Sequence, residues 1–299
     1  MKIFSGNSNK KLALKIAKIL KTELSPVEIF LFPDGEKRIR IKENVVGEEC
    51  IVVQSASMPP DENYMELFIM IDALKRSGAK SVKALIPYLG YQRQDHVFRD
   101  GEAVSLEVIA NILKAVGMSE GYSFDLHSPK IPEVFSVPLH DLSALPKFWE
   151  RIKKDFNLND LVLVSPDMGG IRRIKEVSEA LGNIPYATVT KNRDLSSGEI
   201  NDSQLDGDVR GKISVIVDDM ISTGKTMVEA AQMLIENGAL KVFVFATHAV
   251  LATDADKLLQ NSKIERVFVS DTIDVPAFKI FPKLEVISVS DIAAKALKP

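Results

Sequence analysis

Short apolar runs alternate along the whole chain with segments whose apolar positions recur every three or four residues. In the first half this pattern predicts strands near residues 2–4, 27–31, 50–54, 82–86 and 122–126, and helices over 9–20, 61–77 and 105–116. The helix over 61–77 carries Leu67, Ile71 and Leu74 at three- and four-residue spacing, an apolar stripe suited to a sheet face. In the second half the expected strands are 161–164, 186–190, 213–217, 242–246, 266–269 and 284–288, with helices at 170–181, 225–236 and 291–297. Strands alternating with helices indicate an α/β protein with mostly parallel sheets. The two halves have similar length and element order, so a duplicated domain is expected, with the boundary between 142 and 143. The last segment could pack back on the N-terminal half. Residues 33–46, 89–102 and 192–211 are polar and break the pattern, and are expected to be irregular loops of the kind that often carry function.

The most informative of these transitions lies at residues 213–226. An apolar run ending at Val217 is followed by Asp218 and Asp219, then by Met220 and Ile221. The hydroxyl- and glycine-rich turn Ser222, Thr223, Gly224, Lys225 and Thr226 comes next, and then a helical pattern. A turn that opens a helix gathers free backbone N–H groups and the positive end of the helix dipole, which suits an anion. The paired acids can accept hydroxyl donors of a sugar. Together they describe a cradle for ribose 5-phosphate. Gly224-Lys225-Thr226 mimics the end of a Walker A loop, but that motif requires glycine where Asp219 stands.

Composition narrows the class without identifying it. The 299 residues are long enough for two domains, each with its own core, and 45% hydrophobic and 26% charged is ordinary for a globular protein. A net charge of −3 argues against a nucleic-acid binder acting through bulk electrostatics. The single cysteine, Cys50, precedes Ile51-Val52-Val53 and is read as a buried strand residue in a reducing compartment. No signal-peptide core and no membrane-length apolar run is seen, so a soluble cytoplasmic protein is expected.

Four further groups of residues carry candidate chemistry. Asp34, Gly35 and Glu36 form a turn between strands, which alone would read as a hairpin tip with solvated acids. Arg93 and Gln94 follow Tyr88 and Tyr91 at a strand end, where a guanidinium fork, an amide and aromatic faces together suit a nucleotide. His127 and Asp167 close two other strands, and a carboxylate there could hold magnesium or its waters. Lys191 and Arg193 lead into a polar stretch. They read either as a solvated turn or as cations on a lid over phosphates.

With these motifs in this order, the sequence resembles the ribose-phosphate pyrophosphokinases, the phosphoribosyl pyrophosphate synthetase family, across essentially its whole length. The resemblance implies an α/β fold of two tandem phosphoribosyltransferase-like domains. It implies transfer of the β,γ-diphosphoryl group of ATP, with Mg2+, to the 1-hydroxyl of ribose 5-phosphate, releasing AMP. Asp34, Gly35, Glu36, Arg93 and Gln94 would contact ATP, in part across a subunit interface, and His127 and Asp167 would serve the metal. Asp218, Asp219 and the turn from Ser222 to Thr226 would bind ribose 5-phosphate, with Arg193 reaching the phosphates and Lys191 the catalytic lysine. A homodimer or larger homo-oligomer would be the working form, with no nucleic-acid or membrane partner. Ser222 and Lys225 depart from a frequent family pattern of Asp and a small residue. The change leaves the turn less acidic and more basic, and leaves the family's allosteric control open for this chain. The alternatives are a phosphoribosyltransferase, which shares the 218–226 motif but needs no ATP site, and a non-catalytic regulator associated with the synthetase.

Overall fold

The computed structural model describes residues 1–193 and 200–298, with side chains described outside 191–193 and 200–203. The chain divides into two compact units, one comprising Met1–Ser143, Thr272–Asp274 and Ser288–Pro299, the other Ala144–Asp271 and Val275–Ile287.

The first unit is built from β1 (Lys2–Ser5), α1 (Lys10–Ile19), β2 (Val27–Leu31), β3 (Lys37–Ile41), β4 (Glu49–Val53), α2 (Pro60–Arg76), β5 (Ser81–Leu85), α3 (Ser105–Ala115), β6 (Glu120–Phe124), α4 (Ile131–Val134) and β7 (Leu139–Leu142). Strands β1, β4, β5, β6 and β7 form one parallel sheet in that order. Its near-continuous apolar strands, such as Ile51, Val52 and Val53, are buried, as expected for a parallel sheet covered on both faces. On α2 the stripe of Leu67, Ile71 and Leu74 is fully buried in this core. Cys50 is buried in β4, and burial pushes its thiol up to about 11.

Strands β2 and β3 stand apart as a two-stranded antiparallel hairpin. This corrects the expectation of an irregular loop over 33–46. In Lys37-Arg38-Ile39-Arg40-Ile41 the signal is alternation alone. Ile39 and Ile41 pack on the core while Arg38 and Arg40 face out, leaving too few apolar residues for a strand to stand out.

The second unit contains α5 (Leu145–Asp155), β8 (Leu161–Ser165), α6 (Ile171–Ala180), β9 (Tyr186–Arg193), β10 (Ile200–Asp206), β11 (Ile213–Ile221), α7 (Lys225–Glu236), β12 (Lys241–Ala249), α8 (Ala255–Gln260), β13 (Ile264–Ser270) and β14 (Leu284–Ile287). Its sheet runs β10-β9-β8-β11-β12-β13-β14, parallel except for β10, which pairs antiparallel with β9. The expected irregular stretch 192–211 therefore contains a strand. Its residues are mostly polar, and backbone pairing with β9 defines it more than periodicity does. A last helix, α9 (Ser290–Ala296), belongs to the first unit. There the Asn9 amide donates to the Thr272 carbonyl (3.1 Å), and Lys11 pairs with Asp274 (2.9 Å).

Candidate active site

In the second unit the chemistry gathers where β11 outlasts a neighbour. Pairing with β8 stops at Ile216–Val164, whereas pairing with β12 continues to Ile221–Ala249. Asp218 and Asp219 thus lie within the strand, beyond the end of β8, rather than after the strand as the sequence suggested. The Asp218 side chain is 13% exposed and Asp219 5%.

Between these acids reaches Arg173, a residue that sequence reasoning missed. Its Nη1 donates to Asp218 Oδ1 at 2.9 Å, and its Nη2 lies 3.7 Å from Asp219 Oδ2. The backbone N–H of Asp219 also donates to Asp218 Oδ1, at 2.9 Å. Burial pushes the Asp218 carboxyl well above the usual aspartate range. The charge of Asp219 adds to that, while Arg173 pulls the other way. A signal for Arg173 was present: it occupies the first turn of α6, where the helix dipole disfavours a cation unless carboxylates are near.

Just before α6, Asp167 Oδ1 accepts the Gly170 N–H at 3.1 Å, a local side-chain-to-backbone turn leading into the helix. Asp167 also raises the Asp218 carboxyl through its charge, which places it in the same electrostatic cluster.

The turn after β11 is fixed from behind. The Leu251 N–H donates to the Ile221 carbonyl (3.0 Å) and the Ala252 N–H to the Ser222 carbonyl (2.9 Å). Lys279 donates to the Thr253 carbonyl and pairs with Asp256 at 2.8 Å, tying down the segment that makes those two bonds. Gly224, which opens α7, has φ +78°, and a Cβ there would meet Leu259 Cγ at 3.3 Å. Only glycine combines that backbone with that packing. The unpaired N–H groups of the first turn of α7 face the turn, and Thr223 and Lys225 are exposed beside them. The arrangement presents hydroxyl acceptors on one side and anion donors on the other.

In the first unit, Asp34, Gly35 and Glu36 form the exposed tip of the β2–β3 hairpin. The tip has defined geometry. Phe32 N–H donates to the Glu36 carbonyl (2.8 Å), Gly35 N–H to the Phe32 carbonyl (3.0 Å) and Glu36 N–H to Asp34 Oδ1 (3.1 Å). A cavity of about 480 Å³ lies between the tip and α2.

Arg93 and Gln94 are exposed on the loop after β5. The residue before them, Gln92, is buried, and its Oε1 accepts the His127 N–H at 2.9 Å. Gln92 therefore holds the Arg93–Gln94 loop beside His127, a link between two sequence-separated candidates that the sequence did not reveal. The backbones of Lys191 and Arg193 lie in β9 opposite Ser203 and Ile200. Their expected roles rest on side chains that lie outside the described residues.

Of the expected groups, the structure brings Asp167, Asp218 and Asp219 into one cluster and sets His127 beside the Arg93–Gln94 loop. His127 and Asp167 belong to different units. Among the described residues, no group of three or more His, Cys, Asp or Glu side chains is placed to hold a metal. No described helix is long and apolar enough to cross a membrane.

Comparison with known proteins adds an independent line. A family model of the N-terminal domain of ribose phosphate pyrophosphokinase matches residues 1–117, and a model of the phosphoribosyl synthetase-associated domain matches 187–299. A Listeria innocua protein named putative ribose-phosphate pyrophosphokinase 2 is 39% identical over 298 residues, covering 100% of this chain and 95% of that protein. The Bacillus subtilis ribose-phosphate pyrophosphokinase is 38% identical, covering 99% and 93% respectively. A crystal structure of phosphoribosylpyrophosphate synthetase from Mycobacterium smegmatis superposes with a TM-score of 0.93 at 34% identity, covering 99% of this chain and 96% of that one.

Proposed function

The chain belongs to the ribose-phosphate pyrophosphokinase family, and from that premise we propose how its residues share the reaction. The enzyme is a ribose-phosphate diphosphokinase, transferring the β,γ-diphosphoryl group of ATP to the 1-hydroxyl of ribose 5-phosphate. The 1-hydroxyl oxygen bonds to the β-phosphorus and gives up its proton to solvent, the bond from that phosphorus to the α–β bridging oxygen breaks, and AMP leaves with that oxygen. The observation that carries the acceptor side is the turn from Ser222 to Thr226. It is pinned by two backbone hydrogen bonds and opens α7 through Gly224.

The 5-phosphate binds the N–H groups of this turn, with Ser222, Thr223 and Thr226 donating hydroxyls and Lys225 supplying charge. Asp218 and Asp219, held by Arg173, accept the ring hydroxyls and so fix which face of the sugar meets the donor. ATP is held by Asp34, Gly35, Glu36, Arg93 and Gln94. Lys191 and Arg193 neutralise charge on the moving group. Such charge stabilisation is the main catalytic demand of phosphoryl transfer.

The donor set of Asp167 suits Mg2+. One carboxylate oxygen accepts the Gly170 N–H, which leaves the other for a hard, water-retaining cation that also ligates phosphate. Asp167 would serve the ion, and His127 is the other residue proposed for it; the ion would supply charge neutralisation to the polyphosphate. We also place the working form as a homodimer or larger assembly in the cytoplasm.

Two measurements test this reading. AMP formation in a coupled assay should require both ribose 5-phosphate and Mg2+. AMP release independent of the sugar would overturn the assignment. Lys191→Ala should lower kcat on the order of 10³-fold while ATP binding by calorimetry persists. Turnover like that of the wild type would remove the lysine from the mechanism.

A further inference from the structure

A completely buried carboxylate in the first unit has no part in the chemistry described so far. Glu66, on α2, is 0% exposed and receives four hydrogen bonds. The Asn7 N–H reaches Oε1 at 2.6 Å, Gln54 Nε2 reaches Oε1 at 3.0 Å, and Asn7 Nδ2 reaches Oε2 at 3.0 Å. The fourth donor is Lys37 Nζ, 2.9 Å from Oε2, which also donates to the Glu62 carbonyl at 3.1 Å. Three of these donors come from Asn7, in the turn between β1 and α1, and from Gln54, just past β4. Both belong to the body of the unit. Only Lys37 comes from the hairpin.

Its place in the hairpin gives that bond its significance. Lys37 shares the inward face of β3 with Ile39 and Ile41 and directly follows Glu36. It is the last inward anchor before the tip, and the hairpin has no third strand to steady it. Lys37 is 13% exposed and lines the cavity between tip and helix together with Glu36, Asp61, Glu62, Met65 and Ile69. Its cation is engaged with Glu66 rather than directed at solvent. A lysine beside two acidic tip residues would ordinarily invite reading as a phosphate contact, and this geometry points the other way.

We propose that Lys37 is a positioning residue for donor-nucleotide binding. Its ion pair with the buried Glu66 sets the distance of the Asp34–Glu36 tip from α2, and so the width of the cavity that the tip overhangs, without touching the nucleotide. A buried carboxylate keeps such a partner strongly, because losing it leaves one of its hydrogen bonds unmade in a site closed to water. The hairpin is thereby clamped to the body at one point near its functional end. The inference rests on the reading that the tip contacts ATP.

The test is steady-state kinetics of the full-length protein with four variants. Lys37→Met should raise KM for ATP about tenfold, with kcat within about twofold and KM for ribose 5-phosphate unchanged. Lys37→Arg, which keeps the ion pair, should recover most of that affinity. Lys37→Gln, which keeps a donor but no charge, should fall between and serves if the methionine variant does not fold. Glu36→Ala should raise KM for ATP on its own account. If Glu36→Ala raises it while Lys37→Met and Lys37→Gln do not, the positioning role fails and the nucleotide reading of the tip stands. If none of the three raises it, that reading fails as well. A parallel loss of kcat and of both substrate affinities in Lys37→Met and Lys37→Gln would make the pair structural only and overturn the proposal.

Discussion

The hairpin tip at Asp34–Glu36 and the turn from Ser222 to Thr226 are both short polar connections assigned to phosphorylated ligands, but they are built in opposite ways. The second emerges from a central strand of a seven-stranded sheet. It is bonded through its own backbone to the Leu251–Ala252 segment, and Gly224 is pressed against Leu259. The first sits on two strands that pair only with each other, and a side-chain ion pair between Lys37 and Glu66 anchors it. Backbone anchoring fixes a turn whatever side chains it bears, and suits a site that must match one phosphate. Side-chain anchoring leaves geometry open to adjustment by single substitutions, and suits a surface that accommodates a larger ligand.

The largest separation between the two is expected from one substitution made in each. Gly224→Ala forces a side chain onto φ +78° and against Leu259, and should raise KM for ribose 5-phosphate at least about tenfold with a lowered melting temperature. Gly35 also has positive φ, +93°, but a Cβ there meets nothing within 4 Å. Gly35→Ala should cost only the backbone preference, about 1 kcal/mol, with ribose 5-phosphate kinetics unchanged. Equal effects of the two substitutions on ribose 5-phosphate kinetics would erase the distinction.

Next in size is Asp218→Asn. The folded protein holds a proton on this carboxyl more tightly than the unfolded chain does, because burial and Asp219 outweigh Arg173. The folded state therefore binds more protons between the ordinary aspartate value, about 4, and the raised folded value, and stability falls as pH rises across that window. Asparagine removes this loss. Melting curves should show the variant at least as stable as the wild type at pH 8, with the difference shrinking towards pH 4, while turnover with ribose 5-phosphate falls on the order of 10²-fold. A variant less stable at pH 8 would mean that the Arg173 pairing dominates.

The smallest effect belongs to the rear support of the second turn. Lys279→Ala removes the Thr253 and Asp256 contacts and should raise KM for ribose 5-phosphate about threefold, leaving KM for ATP unchanged. A change in ATP affinity alone would sever Lys279 from the turn.

How much of this could be read in advance follows the range of the interactions concerned. The strand, turn and helix from 213 to 236 were legible because an apolar run, glycine and helical spacing are all local signals. The extension of β11 beyond its acids was not, because it depends on where pairing with β8 ends. Arg173 was missed because its partner lies 45 residues away, and only a cation in the first turn of a helix hinted at it. Strand β3 hid in a lysine- and arginine-rich stretch where two isoleucines carry the alternation. Lys37 and Glu66 each look like solvated surface residues until the fold closes around them.

The first unit closes on residues from the far end of the chain. Its Asn9 cap and the Ser55 hydroxyl both rest on Thr272, Lys11 reaches Asp274, and α9 lies against α1. These segments are synthesised after the whole of residues 1–143, so the first unit waits for them before it is complete. Severing the chain between the units would not yield two self-sufficient pieces, and a protease nick near residue 275 would leave Thr272 and Asp274 in place but put α9 on the other fragment.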